Sequence, residues 1–302
     1  MTERPPVSEM MDTFQSHVSS QLAQTPEVID TEGAIDTSAL FIDKSKWRKY
    51  PQVSCAFADL AGSTSLRTGR WEASTASIYD AAIKPAVRIL SDFGADFIDV
   101  QGDAAFGLFT GKNSQRRAIC AGITIKTFGK RILIPALEKR WPENPPHTGF
   151  KVGCAVSDLL SKKIGISRTD HHAPVWAGRA VNYAAKCSQQ ATAHQMIVTR
   201  PIGETVRRNE YLWYSCECGT GPTALWEEQH VEKVSGKDSE GLILKSEWCA
   251  SCGDTYCERV CSGSWRRPDL DSRRNRLNLD KYQQVIKFRD QNARQIRRGI
   301  NG

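Results

Sequence analysis

Hydrophobic positions in the first part of the chain switch between strand-like and helix-like spacing. Residues 53–58 form a short apolar run that predicts a buried strand, and apolar positions recur at helical spacing over 74–92 until Gly94. Two further apolar runs, 95–100 and 104–109, flank a Gly-Asp pair and predict a β-hairpin. This part therefore predicts a strand, a helix and a hairpin in that order.

The same alternation continues in the second part. The further elements predicted are a helix over 114–140 weakened at Gly129, strands over 150–157 and 163–168, a helix over 180–191, a strand over 196–199 and a helix over 201–208. The order β-α-β-β-α-β predicts an α/β (α+β) fold with a ferredoxin-like antiparallel sheet and helices on one face.

The two ends of the chain carry apolar stripes of their own. The N-terminal stripe, at near-helical spacing, comprises Met10, Met11, Phe14, Val18 and Leu22. The C-terminal stripe, which predicts a helix that docks on protein, comprises Leu279, Tyr282, Ile286, Ala293, Ile296 and Ile300. We therefore predict a helical extension over 1–50, a core domain over 51–212, a cysteine-rich module over 213–262 and a basic amphipathic helix over 263–302.

Composition narrows the class of protein. The 302 residues are 40% hydrophobic and 25% charged, and no apolar run approaches the roughly 18 residues of a membrane span. The N-terminal residues resemble neither a secretory signal nor a transit peptide, so we expect a soluble, cytoplasmic protein. Residues 266–298 contain eleven Lys or Arg and four Asp, and this excess of +7 equals the net charge of the whole chain. This favours a solvated helix face over a nucleic-acid surface.

Six of the ten cysteines crowd into residues 216–261, a clustering that favours metal over disulfides in a cytoplasmic protein. Cys216 and Cys218 form one pair, and Cys249 and Cys252 form a second, each followed by glycine. These four thiols are candidate ligands of a structural Zn²⁺. Cys257 or Cys261 could substitute for one of them.

A pair of carboxylates carries the candidate chemistry. Asp59 follows the first predicted strand in a turn with Gly62, Ser63 and Thr64, and Asp103 lies in the hairpin turn. Mg²⁺ prefers one or two carboxylates together with phosphate oxygens and water. Taken alone, Asp59 could cap a helix and Asp103 could serve the turn. Together they predict a two-metal site for a triphosphate, with backbone N–H groups of the turn on the phosphates.

Three motifs in this order resemble the class III adenylyl/guanylyl cyclase family. They are F-x-D-[IL]-x-G-S-T at residues 57–64, Gly-Asp in the hairpin, and V-N-x-A-A at residues 181–185. The resemblance covers about residues 51–205 and implies closure of a nucleoside triphosphate into a 3′,5′-cyclic mononucleotide with release of pyrophosphate. It also implies two Mg²⁺ or Mn²⁺ ions per site and a homodimer with composite sites.

Carried over residue by residue, the resemblance makes Asp59, Asp103 and the main-chain carbonyl of Leu60 the metal ligands. Asn182 would orient the ribose from the partner subunit. The family usually has arginine where this chain has Lys186, and lysine supplies the charge without the bidentate fork. Arg179 is a candidate to assist Lys186.

The base-reading positions depart from the purine pattern. Where family adenylyl cyclases use lysine and aspartate, this chain has Asp99 and Val175. A carboxylate at 99 accepts hydrogen bonds from uracil, cytosine or guanine but cannot donate to a purine ring nitrogen. Tyr50 and Trp47 are candidates to pack on a small base, although both could equally be ordinary core or surface aromatics.

The whole arrangement resembles the pyrimidine cyclases of bacterial Pycsar antiphage systems. The resemblance implies that the product, cyclic UMP or cyclic CMP, activates a separate effector. Asp99 can serve either base, and UTP is weakly favoured over CTP. The cysteine-rich region resembles a sensor domain of phage-defence enzymes, and a plain zinc-stapled module is the alternative. Two other functions remain open: a purine cyclase with an unusual base pocket, and a degenerate cyclase fold that binds nucleotide or nucleic acid without turnover.

Overall fold

A computed structural model describes residues 4–42, 45–66, 72–166, 169–219 and 221–300. Of residues 295–300 it describes the backbone only. Within these ranges the helices are α1 (Val7–Ala23), α2 (Glu72–Asp92), α3 (Ser114–Phe128), α4 (Ile134–Arg140), α5 (Arg179–Gln190), α6 (Arg200–Arg208), α7 (Glu210–Trp213), α8 (Gly253–Cys261) and α9 (Arg274–Ile300). A π-helical turn, Gly129–Leu133, joins α3 to α4 at the predicted weak point.

The strands belong to one sheet. They are β1 (Glu27–Asp30), β2 (Lys46–Leu60), β3 (Phe97–Gln101), β4 (Ala104–Phe109), β5 (Phe150–Gly165), β6 (His172–Gly178), β7 (Met196–Val198), β8 (Trp226–His230) and β9 (Glu240–Leu244). The order is β3-β4-β2-β5-β7-β9-β8, with β1 beside β2 and β6 beside β5. The β1–β2 and β5–β7 pairs are parallel and the others are antiparallel.

The sheet buries a separate apolar cluster on each face. Alternate residues of β2 divide between them, because side chains along a strand point to opposite sides. Ala56, Ala58 and Leu60 pack with α2 and α3, whereas Val53 and Cys55 pack with α5. The mixed α/β fold is as predicted, but the prediction that helices cover one face is wrong, since α5 lies on the other.

The α5 backbone lies directly against the sheet at Gly153 of β5. A Cβ atom added at Gly153 would come within 1.9 Å of the Ala184 carbonyl oxygen. Only glycine therefore permits this approach, and periodicity along the chain contains no sign of it.

The structure differs from the predicted strands in two places. β5 runs continuously to Gly165, so the strand predicted over 163–168 is the end of β5, and Arg168 lies outside the described residues. The sequence pattern missed β6, whose burial alternates between half-buried and exposed positions. Its exposed face weakens the apolar signal on which strand prediction rests.

The cysteine-rich region is joined to the main sheet through β8 and β9. β9 pairs with β7 at Met196, Ile197 and Val198, so this segment extends the central sheet. The N-terminal extension likewise contributes β1 as well as α1, and its last residues already belong to β2. The division of the chain at residues 50, 212 and 262 stays a prediction.

α9 docks through a different face from the predicted one. Leu279, Tyr282 and Ile286 are 57%, 65% and 42% exposed, and the side chains of Ile296 and Ile300 lie outside the described residues. Lys281 instead donates to the Arg207 carbonyl, with its ammonium 5.1 Å from the Trp213 ring centroid. A lysine stem that covers an aromatic ring can dock a helix as well as an apolar stripe can.

The predicted stripe on α1 is also uncovered within the chain. α1 buries no residue, and Met11, Phe14 and Val18 are each about half exposed. Among the described residues, no helix has both the length and the apolar character needed to cross a membrane.

Candidate active site

Asp59 and Asp103 lie at the ends of neighbouring strands. Asp59 of β2 is in register with Ala104 of β4. The following residue of β2, Leu60, donates its N–H to the Asp103 carbonyl at 3.2 Å. The β3–β4 turn, which contains Asp103, is thus fixed against the end of β2. The structure brings the two carboxylate-bearing residues together through antiparallel pairing, although they are far apart in sequence.

Lys151, which the motif analysis missed, forms an ion pair with Asp59. It lies opposite Asp59 in the β2–β5 register, and its ammonium contacts the Asp59 carboxylate. The two side chains are 20% and 19% exposed, so the pair is largely shielded from water. A lysine opposite a carboxylate in a strand pair is visible only once the register is known.

The turn after β2 is tight and is fixed by hydrogen bonds. Gly62 has a left-handed backbone conformation, with φ 66° and ψ 19°, which is unfavourable for most other residues. Ser63 and Thr64 follow in a single 3₁₀ turn, in which the Leu66 N–H donates to the Ser63 carbonyl at 3.1 Å. Thr148 anchors this loop by donating to the Ala61 carbonyl at 2.7 Å.

The start of α5 is held by Ser157 of β5. The Ser157 hydroxyl accepts from the N–H groups of Arg179 and Ala180 at 3.1 and 2.8 Å, which satisfies two of the free donors at the helix N-terminus. At the other end of α5, the Ser188 hydroxyl donates to the Lys151 carbonyl at 3.0 Å. The helix therefore lies along β5 from Ser157 to Lys151.

This placement separates the predicted ribose-binding group from the carboxylates. Asn182 lies one turn from the Ser157 end, where its side chain donates to the Gly178 carbonyl at 3.3 Å. Asp59 lies opposite Lys151 at the other end. Six residues separate Asn182 from Ser188, which bonds to Lys151, so Asn182 lies roughly 9 Å along the helix axis from the level of Asp59.

Arg179, Asn182 and Lys186 share one face of α5, because they are three and four residues apart. The opposite face, with Ala180, Tyr183, Ala184 and Cys187, is buried against the sheet. The Lys186 ammonium lies 5.3 Å from the Tyr183 ring centroid.

Arg179 already has a partner in the same chain. Its guanidinium pairs with the Asp238 carboxylate at 3.1 Å, in the turn before β9. A role for Arg179 beside Lys186 would require this pair to open. Lys186 is therefore the stronger of the two candidates.

Asp99 lies on the same face of the sheet as Asp59. It pairs with Phe106, which in turn pairs with Phe57, two residues before Asp59. The Asp99 carboxylate accepts from the Val100 N–H at 3.0 Å and from Gln101 Nε2 at 3.2 Å. Gln101 was not among the predicted site residues.

Trp176, rather than Val175, contacts this region. The Trp176 ring packs on Phe97, two residues before Asp99, with centroids 4.8 Å apart. Neighbouring strand residues point to opposite sides, so Val175 points away from this contact, and it is 36% exposed. Its role in binding the base stays a prediction, and Trp176 is an aromatic that the family pattern did not indicate.

Tyr50 is a core residue, and its predicted contact with the base is wrong. It is 1% exposed and packs in the α5-side cluster, where burial raises the pKa of its hydroxyl. Tyr50 and Asp59 are nine residues apart on β2, roughly 30 Å along the strand. Trp47 lies still farther from Asp59, with the Lys162 ammonium 5.6 Å from its ring centroid.

The four cysteines predicted as a metal site converge. The sulfur atoms of Cys216, Cys218, Cys249 and Cys252 all lie within 4.8 Å of one another. N–H groups of Ser251 and Cys252 point at the Cys249 sulfur and lower the pKa of Cys249 to about 6. Cys257 and Cys261 lie in a different group and do not substitute here.

The fold is that of the class III nucleotidyl cyclases. The structure resembles the adenylyl cyclase CyaB from P. aeruginosa with a TM-score of 0.52, over 67% of this chain and 97% of that one, at 14% identity. This likeness shows the fold alone. No family model matches the chain.

Curated relatives identify the family. The chain is 39% identical to a uridylate cyclase of Propioniciclava tarda over 301 residues, which cover 97% of each protein. It is 46% identical to a uridylate cyclase of Micromonospora echinofusca over 259 residues, 85% of each. The chain belongs to this family of nucleotidyl cyclases.

Proposed function

We propose that the protein is a uridylate cyclase that converts UTP into 3′,5′-cyclic UMP and pyrophosphate. The observation that carries the proposal is the strand register that fixes Asp59 beside the Asp103 turn, in a chain whose full-length relative is named uridylate cyclase. CTP remains the alternative pyrimidine substrate, and a purine cyclase is the alternative activity.

The residues at the strand ends fit hard divalent cations. Asp59, Asp103 and the Leu60 carbonyl offer oxygen donors, and Lys151 on Asp59 shows that this carboxylate pairs with a positive charge. Mg²⁺ or Mn²⁺ held there would lower the pKa of the ribose 3′-hydroxyl and neutralise the departing pyrophosphate. The N–H groups of the Gly62–Thr64 turn are suited to the phosphate oxygens.

The complete site is composite in this proposal. Asn182 and Lys186 lie on the face of α5 opposite the one buried against the sheet, and the resemblance to class III cyclases implies that a second copy of the chain supplies them. Asn182 holds the ribose, and Lys186 stabilises negative charge that develops at the α-phosphorus. Each homodimer then has two sites, and the monomer has none.

Asp99 and Trp176 are our candidates for reading the base. The Asp99 carboxylate is suited to accept the N3–H of uracil, and Gln101 already holds it in place. Trp176, packed on Phe97, offers an aromatic surface that fills part of a purine-sized pocket. Both features favour a small base with a hydrogen-bond donor.

Product analysis tests the substrate. Purified protein is incubated with a mixture of all four nucleoside triphosphates and with Mg²⁺ or Mn²⁺. The cyclic products are separated and identified by mass spectrometry. Cyclic UMP as the main product is expected. Cyclic CMP would move the assignment to CTP, and a cyclic purine or no product from any triphosphate would overturn it.

Mixing two inactive variants tests the composite site. In the proposed dimer, one chain gives Asp103 to a site and the other chain gives Lys186. A dimer of one Asp103→Ala chain and one Lys186→Ala chain therefore retains one site with both groups intact. Since half of randomly mixed dimers are heterodimers, about a quarter of the wild-type activity is expected to return. Remixing each variant with itself is the control. No recovery from the mixture would place all groups within one chain.

We also propose that Cys216, Cys218, Cys249 and Cys252 hold a structural Zn²⁺. The proposal is supported by the convergence of four sulfurs within 4.8 Å, the number of ligands of a closed structural site. Zinc there would fix the loop between β9 and α8 to the segment that follows α7.

Finally, we propose that the cyclic nucleotide is a messenger for a separate antiphage effector. The support is the resemblance to Pycsar cyclases described above. Cells that carry the effector should resist phage with the wild-type cyclase and lose that resistance with Asp103→Ala. Equal resistance with both proteins would contradict this role.

A further inference from the structure

A second group of cysteines lies between α8 and α3. The sulfur atoms of Cys120, Cys257 and Cys261 all lie within 4.8 Å of one another. Cys120 is fully buried on α3, and the other two are half-buried on α8. This group shares no residue with the four-cysteine cluster.

The two α8 thiols have the spacing by which a helix presents two ligands to one ion. Residues four apart lie on the same face, one turn above the other. Helices α3 and α8 bury this face, and both half-buried cysteines pack against the apolar core. Cys55, Cys154 and Cys187 are also buried, yet they do not belong to either described sulfur group. Burial of cysteine alone therefore does not explain the convergence.

A groove beside this group leaves room for a further ligand. It is lined by Asp92, Phe93, Arg117, Asp254 and Glu258, together with Cys257 and Cys261. Three thiolates and a divalent cation carry a net charge of −1, and the positive charge of the Arg117 guanidinium offsets it. The two carboxylates that α8 contributes to the groove, or water, are oxygen donors suited to a fourth position.

We propose that Cys120, Cys257 and Cys261 form a second Zn²⁺ site, with three thiolate ligands and a fourth position open to this groove. Binding releases the thiol protons and fastens α8 to α3. Since α3 follows β4 and the Asp103 hairpin, the site ties the C-terminal region to the helix beneath the candidate active site. Cys252 immediately precedes α8, and Cys257 and Cys261 lie within it, so one zinc ion would hold the start of the helix and the other its later turns.

Metal stoichiometry in the full chain tests this proposal. Protein is stripped of metal under reducing conditions, reconstituted with Zn²⁺, dialysed against buffer containing Mg²⁺ and analysed for zinc per chain. Two zinc ions are expected in the wild type and one in Cys261→Ser. Cys252→Ser should also keep one, and the double variant none.

Matched controls separate a metal site from packing. Cys154→Ser changes a thiol that is as buried as Cys120 but lies outside both groups, and it should keep two ions. With Co²⁺ in place of Zn²⁺, the thiolate-to-metal absorption should fall in Cys261→Ser and remain in Cys154→Ser. If Cys261→Ser does not fold, Cys257→Ser and the wild-type count still decide the question.

One zinc ion in the folded wild type, lost in Cys252→Ser and kept in Cys261→Ser, would overturn the second site. A disulfide among the three cysteines in the reconstituted wild type, found by peptide mass spectrometry, would also overturn it. Neither readout depends on cyclase activity, so the proposed function can fail without affecting this result.

Discussion

The strand ends that carry Asp59 and Asp103 and the region around α8 both gather chemically active side chains, but they hold them differently. Asp59 and Lys151 keep about a fifth of their surface exposed, and Asn182 and Lys186 lie on an outward helix face. Around α8, seven thiols close into two compact groups within a single chain. The first region spreads its candidate groups over two strand ends and a helix face, whereas the second brings its thiols within 4.8 Å of one another in each group.

This difference follows from what each region has to bind. Under the proposed function, a substrate must enter and leave, so the groups that bind it are held by the backbone, as the Asp103 turn is by the Leu60 N–H. A structural ion has no need to exchange, and its ligands can face one another. Substitutions in the first region should therefore change activity, and substitutions in the second should change stability.

Asp103→Ala should have the largest effect on activity. It removes a carboxylate from a turn and no core volume, so kcat/KM should fall by about 10³-fold or more, at or beyond the loss from one oxyanion-hole donor. The thermal midpoint should stay near that of the wild type. Asp30→Ala, which removes an exposed carboxylate of β1, is the control and should retain activity. Near-wild-type turnover in Asp103→Ala would end the assignment of this residue as a metal ligand.

Cys252→Ser should give the reverse pattern. Structural zinc in small domains contributes on the order of 10 kcal/mol of apparent binding free energy, so losing one of four thiolates should lower the free energy of unfolding by several kcal/mol. Chemical denaturation and zinc analysis measure the loss. The fraction that remains folded should turn over substrate at a rate close to the wild type. Wild-type stability together with complete loss of activity in Cys252→Ser would contradict this prediction.

Lys186→Ala should reduce kcat by about 10²-fold with little change in KM, because the charge acts mainly in the transition state. Lys186→Arg should retain activity or exceed the wild type, since arginine adds a second hydrogen bond to the phosphate. Steady-state kinetics at saturating Mg²⁺ distinguish the two. A rise in KM at constant kcat would make Lys186 a binding group only.

Lys151→Met should have the smallest effect. It removes the ammonium that competes with a cation for Asp59, so the Mg²⁺ concentration for half-maximal activity should fall by up to about tenfold, equivalent to about 1.4 kcal/mol. Lys49→Met, which removes a lysine paired with Asp158 on the same strand pair, is the matched control. A higher Mg²⁺ requirement in Lys151→Met would mean that Lys151 supports the cation site instead of competing with it.

Much of the candidate site could be predicted from local pattern. The positions of Asp59 and Asp103 at strand ends follow from two apolar runs and a Gly-Asp turn, and antiparallel neighbours then bring them together. Tyr50 was misplaced because its sequence distance from Asp59 was short while the strand between them is extended. Lys151, Gln101 and Trp176 depend on strand register, which no single segment contains.

The amino-acid sequence by itself determined most of the helices and strands from β2 to α6, the carboxylates at two strand ends, and the pairing of Cys216 and Cys218 with Cys249 and Cys252. These depend on spacing within short segments, where period and turn residues act locally. Only the tertiary structure decided that α5 lies across Gly153 on the far face, and that Cys120 meets Cys257 and Cys261. Such contacts arise when distant segments pack, and their geometry is set by the whole sheet.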